Sequence, residues 1–204
     1  NITAALADFD RSHALNPYYV LNDLSIARAN LMLAQQEAAP GGGGEAAAVA
    51  RLNEARNHAE SVLALVPDFA DATEILGRIE AIAAIVNRDK AAHPDPAAQA
   101  KHWENARHYL NEAIDQGPEN AGELYRMLMQ VELGLNNTDG AESALLGAVQ
   151  VAPDASRTWA IFMNYARQYK RFDRMRGALQ ERIDRLAVLE AISEGEEEQL
   201  ATAY

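Results

Sequence analysis

The chain has 204 residues, a formal net charge of −12 and no cysteine. Those numbers exclude disulfides, thiolate chemistry and cysteine-ligated zinc. They also weigh against nucleic acid and anionic lipid as partners, because an acidic surface repels phosphate. No apolar run approaches the ~20 residues needed to cross a bilayer, so no direct membrane insertion is expected of this segment. Alanine is frequent and aromatics make up only 6%. Alanine is the best helix former and lets helices approach closely, so the fold class expected is all-α. High alanine content fits a bacterial chain, and a cysteine-free one suits cytosol and periplasm equally.

In chain order the pattern predicts a lone helix at 1–16, followed by helix pairs. These are 18–37 with 47–66, 69–87 with 97–117, 119–135 with 139–152, and 155–169 with 172–192. The lone first helix has no mate, which implies further repeats upstream. Residues 38–46 and 87–97 are insertions between paired helices. The first is a Gly-rich linker by composition, and in the second Pro94 and Pro96 break any helix. The repeat domain spans 1–192, and 193–204 form an acidic tail.

Pro17, Pro67, Pro118 and Pro153 set the period. Twelve residues before each stands an alanine: Ala5, Ala55, Ala106 and Ala141. Eight before stand Phe9, Ala59, Leu110 and Leu145, and five before stand Ser12, Val62, Ala113 and Ala148. Spacings of four and three place these positions on one helix face. Nine residues after each proline stand Ile26, Leu76, Met127 and Phe162, all large and apolar. A helix with an apolar stripe at fixed phase therefore follows every proline, a residue that ends one helix and tolerates the start of another.

Small residues, a large apolar one and a terminal proline at these offsets resemble the tetratricopeptide repeat (TPR). Pro118 to Pro153 is 35 residues, close to that family's period of about 34. Leu76-Gly77 is similar to its Leu-Gly pair. Trp159 matches the aromatic near the start of the first helix, as does Tyr125 if one residue is inserted after Pro118. Phe172 matches the aromatic that opens the second. Two intervals are longer, 50 and 51 residues, and the family's aromatic late in the first helix is replaced by Asn30, Glu80, Glu132 and Ala166. The resemblance implies an antiparallel helix-pair solenoid, a TPR-like right-handed superhelix of about four and a half repeats.

Catalytic patterns fail one by one. The glycine run 41–44 lacks the Lys-Ser/Thr of a phosphate loop, and neither a Gly-x-Ser-x-Gly elbow nor a His-Glu-x-x-His zinc helix occurs. His102 and His108 lie on different helix faces, and Glu54 with His58 reads as a solvated pair. No carboxylate stands in a context that marks burial. No catalytic residue, metal site or cofactor is therefore expected.

The resemblance further implies that the first helix of each pair lines a concave surface. On it would lie Leu21, Leu24, Arg28, Leu31 and Met32, then Asp71, Glu74, Arg78, Ala81 and Ile82. Glu123, Arg126, Gln130 and Leu133 follow, and last Arg157, Ala160, Asn164, Arg167 and Gln168. Arginine recurs in every group, and arginine grips carboxylates in a two-pronged fork. The site expected to hold a partner is Leu21, Leu24, Arg28, Arg78, Arg126, Gln130, Arg157, Asn164 and Arg167. Its occupant would be a protein or peptide segment with an acidic part. Against this stands the possibility that the arginines merely pair with Glu74, Glu123 and Glu132. The function expected is that of an interaction scaffold. The alternative is a structural subunit or soluble repeat region of a larger, envelope-anchored protein or complex.

Overall fold

A computed structural model describes residues 2–39, 42–88, 95–152, 156–171, 173 and 176–184. Its helices are α1 (Ile2–Leu15), α2 (Val20–Ala38), α3 (Glu45–Leu65), α4 (Ala70–Arg88), α5 (Pro96–Asp115), α6 (Ala121–Gly134), α7 (Thr138–Val151) and α8 (Ser156–Gln168). Residues 176–184 are helical as well. There is no strand among the described residues. The expected tail at 193–204 lies outside them. The chain divides into two compact units, Asn1–Ala144 and Leu145–Tyr204, with the boundary inside α7.

In the first unit each helix packs on the next, from α1 through α6, and α2 also packs on α4. That pattern of neighbours is a solenoid's. The small residues before Pro67, Pro118 and Pro153 make it possible, whereas Ser12 before Pro17 is exposed. Ala55, Ala59 and Val62 of α3 and Ala106, Leu110 and Ala113 of α5 are all fully buried. Ala141, Leu145 and Ala148 of α7 are equally buried. In such close-packed positions an added methylene or two costs about 1–3 kcal/mol. Gly77 on α4 admits α5 in the same way, since a Cβ there would lie 3.0 Å from the Leu110 side chain.

The main core joins α2, α3 and α4 through Leu24, Leu31, Leu52, Ile75, Leu76 and Ile79 among others. A smaller cluster of Leu6, Ile26, Ala29 and Leu33 seats α1 on α2. Several expectations fall here. Leu24, placed on the open face by register, is 1% exposed and belongs to this core, as do Leu31 and Ile82 from the same expected surface, because they lie where α2, α3 and α4 converge. Met127, placed in the core at nine residues after Pro118, is only half-buried, and Leu128 is buried instead. The extra residue after Pro118 that aligns Tyr125 thus rotates the whole of α6 by one position.

Both insertions have defined ends. Glu37, in the last turn of α2, accepts a hydrogen bond from Gly44 N at 3.0 Å through its carbonyl and one from Gly43 N through Oε2. Gly44 then opens α3 at φ +89°, a conformation that glycine adopts without a steric penalty. Asp95 caps α5, its Oδ1 accepting from Ala97 N and Ala98 N at 3.1 and 3.0 Å, with Pro96 as the first helical residue.

Candidate partner-binding site

The first helices of the pairs in the first unit, α2, α4 and α6, carry a ladder of ion pairs on their shared face. Arg28 of α2 donates to Asp71 of α4 at 2.7 Å. Arg78 of α4 donates to Glu123 of α6, also at 2.7 Å, and to Glu74 on its own helix. Asn120 adds a bond to Glu74 at 2.9 Å. The register repeats: an arginine eleven residues after one proline meets the first inner-face acid of the next helix. Burial lowers the affinity of Arg78 for its proton. The hydrogen bond to Glu123 and the charges of Glu74 and Glu123 outweigh this and hold it above the ordinary arginine value. These arginines have therefore found their carboxylates within the chain.

Gln130 stands at the ladder position on α6 and is exposed. It lines a recess of about 380 Å³ with Ala81 and Ile85 of α4, Trp103 of α5, and Met127, Val131, Leu133 and Gly134 of α6. Ile85 is 39% exposed. Gly134 is required there, since a Cβ would come within 2.5 Å of Trp103 Cε2 and 2.9 Å of its Nε1. The indole N–H is buried and has no acceptor among the described residues.

On α2 the same face exposes Leu21, Arg28 and Met32. Arg126 of α6 is half-buried. In the second unit, Arg157, Asn164 and Arg167 lie along α8, and all three are exposed. The structure thus joins Arg28 and Arg78 into the ladder, seats Gln130 in the recess, and withdraws Leu24 into the core.

A second set of polar groups is buried away from solvent, contrary to the expectation that no carboxylate would be. Glu80 of α4, 2% exposed, accepts from Arg56 of α3 at 2.6 Å. Its other oxygen lies 2.6 Å from His102 Nδ1 of α5 and 3.4 Å from Asn105 Nδ2. Burial pushes this carboxyl up. The hydrogen bonds to His102 and Arg56 and the Arg56 charge more than reverse that, leaving it below the ordinary glutamate value. Asp23 of α2, also 2% exposed, lies 2.7 Å from His58 Nδ1 and 3.4 Å from His13 Nδ1, so His58 serves α2 instead of Glu54. Asn30 accepts from Arg51 at 3.2 Å, and Glu132 accepts from Asn137 at 2.8 Å. Asn30, Glu80 and Glu132 are three of the residues that replace the family's late aromatic. That substitution was the signal for a buried polar group. The groups around Glu80 and Asp23 join neighbouring helices at their junctions. No group of three metal-binding side chains occurs among the described residues. No described helix is long and apolar enough to cross a membrane.

No family model and no curated protein matches the chain. Solved structures do. The crystal structure of MamA matches with a TM-score of 0.58 at 14% identity, over 90% of this chain and 87% of that one. TTC0263, a thermophilic TPR protein in Thermus thermophilus, matches with a TM-score of 0.62 at 18% identity, over 90% of this chain and 82% of its own. At these identities the likeness is one of fold. The fold is an antiparallel helix-pair solenoid of tetratricopeptide type, as the proline-centred offsets predict.

Proposed function

We propose that this chain is a protein-interaction scaffold without catalytic activity, and that its first unit holds a segment of a partner protein along the face of α2, α4 and α6. The observation that carries this is the recess beside Gln130, an apolar hollow on the face that bears the ion-pair ladder. Apolar recesses with a few polar groups at the rim are where proteins take ligands. The arginines support the scaffold in a different manner from that expected. An acidic segment would have to displace Asp71, Glu74 or Glu123 to reach Arg28 or Arg78. The TPR-type fold fits the proposal, since solenoids of this kind present extended surfaces of stacked helices to their partners.

The test is site-specific photo-crosslinking in the native source. A benzophenone amino acid replaces Gln130 on the proposed face, and in a second protein replaces Glu104, exposed on α5. Discrete partner adducts from position 130 and none from position 104 are expected. Adducts from position 104 alone would move the interaction surface to the second helices of the pairs.

A further inference from the structure

We infer that the recess between α4 and α6 takes one uncharged, leucine-like side chain of the partner segment, and that this anchor, not an arginine–carboxylate pair, gives the face its selectivity. The inference rests on the scaffold reading above and names the chemistry of its occupant.

The repeat sets this junction apart from the one before it. Trp103 stands fifteen residues before Pro118, as Leu52 stands fifteen before Pro67. On the next first helix, the residue at the matching register is Ile82 in one case and Gly134 in the other. Leu52 and Ile82 are both buried in the main core. At the following junction the pair is Trp103 and Gly134, and the indole is met by a residue with no side chain. The indole fills the space that a side chain at 134 would take, and the recess lies beside it, bordered by Ile85 and Leu133 among others.

Charge selects the occupant. None of the eight lining residues is charged. Arg78 is neutralised twice over by Glu74 and Glu123, and the protein carries a net charge of −12. A carboxylate entering here would lose its hydration and find no cation in the lining, a cost of several kcal/mol. An aliphatic side chain meets Ile85, Met127, Leu133 and the indole. Methionine adapts to such guests because its side chain is flexible and polarisable.

A second, independent feature points the same way. Trp103 is only 6% exposed, yet its N–H has no acceptor among the described residues. Leaving a buried donor unsatisfied costs about 1–3 kcal/mol. The Nε1 edge faces Gly134, itself part of the recess wall. A side chain that fills the recess packs beside this indole, and Gln130 at the rim is exposed and offers its amide to the peptide backbone.

The test uses the chain as it stands. A displayed library of random twelve-residue peptides is panned on wild-type protein and counter-selected on Ile85→Lys protein. Selected peptides are synthesised and titrated while the two indole N–H resonances, one per tryptophan, are followed; Trp159→Phe assigns them. The expected peptides share one Leu, Ile or Met with no acid beside it. They lose tenfold or more in affinity on Ile85→Lys or on replacing that residue by Ala, and they move the Trp103 N–H resonance more than that of Trp159. Ile85→Lys should keep its helical circular dichroism and melting temperature, which separates lost binding from lost folding. Peptides rich in Asp or Glu that tolerate Ile85→Lys but are lost on Arg126→Glu overturn the anchor and leave the scaffold face standing. Peptides indifferent to both substitutions, or no enrichment at all, overturn the anchor, and adducts absent from position 130 then remove the face as well. A concentration-dependent dimer abolished by Ile85→Lys overturns the peptide reading by assigning the recess to a second copy.

Discussion

Helix α4 carries an ion-paired side chain on each of two faces, and the contrast between them separates what holds this solenoid together from what it shows to a partner. On one face Arg78 reaches Glu74 and Glu123, with Glu123 about half exposed. On the other, Glu80 is sealed at 3% side-chain exposure between Arg56 and His102. Distances are nearly the same, 2.7 Å against 2.6 Å. Their surroundings are not. A pair with a half-exposed partner, as Arg78 has in Glu123, gains little, because water screens it and long side chains lose freedom to form it. A buried charge must be matched, because removing one partner strands the other. Glu80 therefore acts as a pin through three helices, and Arg78 as a register mark between two.

The largest test of that contrast is Glu80→Ala. It leaves Arg56 and His102 facing a buried cavity, and about 3–5 kcal/mol of stability should be lost, measured by urea denaturation followed by circular dichroism. A loss under about 1 kcal/mol would put Glu80 in the same class as Arg78. Acidity sharpens the point. The folded carboxyl of Glu80 titrates below its ordinary value of 4.5, so its contribution is complete above that value and is lost as pH falls through the folded value. The stability gap between wild type and Glu80→Gln should narrow as pH falls below about 4.5. A gap that widened there would give the shift the opposite sign.

Gly134→Ala comes next. A Cβ 2.5 Å from Trp103 Cε2 forces the indole to move, and overpacking of this kind costs about 1–3 kcal/mol. Denaturation measures the cost, and the tryptophan emission maximum in a Trp159→Phe background should shift as the ring is displaced. If neither changes, the indole has room that the recess geometry denies it.

How far the sequence alone leads follows from the same residues. The alanines before Pro67 and Pro118 betray the close packing of α3 and α5, because only a small side chain fits at a position fixed by the repeat. The ladder pairs Arg78–Glu74 and Arg78–Glu123 were foreseeable for the same reason, as register alone brings them together. Leu24 misled because an inner-face register does not say how far a helix is embedded; its neighbours on α3 and α4 decide that. Glu80 and Asp23 escaped notice because their partners, Arg56, His102 and His58, lie on other helices at separations no local pattern encodes. The recess was illegible for a simpler reason. It depends on Gly134 lying against Trp103 across 31 residues, and a glycine near a helix end reads as a stop signal.

The smallest effects belong to the ladder. A double-mutant cycle on Arg78 and Glu123 should return a coupling of about 0.2–1 kcal/mol, and one on Arg28 and Asp71 the lower end of that range. Arg28 and Asp71 are 53% and 41% exposed, whereas Arg78 is more enclosed and is gripped by Glu74 as well as Glu123. Both couplings should weaken as salt is raised from about 0.05 to about 0.5 M, unlike the cost of Glu80→Ala. The Arg28 variant then discriminates between the two views of the binding face. If an uncharged side chain in the recess anchors the partner, Arg28→Ala leaves affinity within about twofold, a change of ~0.4 kcal/mol. If an acidic segment lies along the arginines, the same substitution frees Asp71 to repel it, and affinity falls tenfold or more while stability hardly moves.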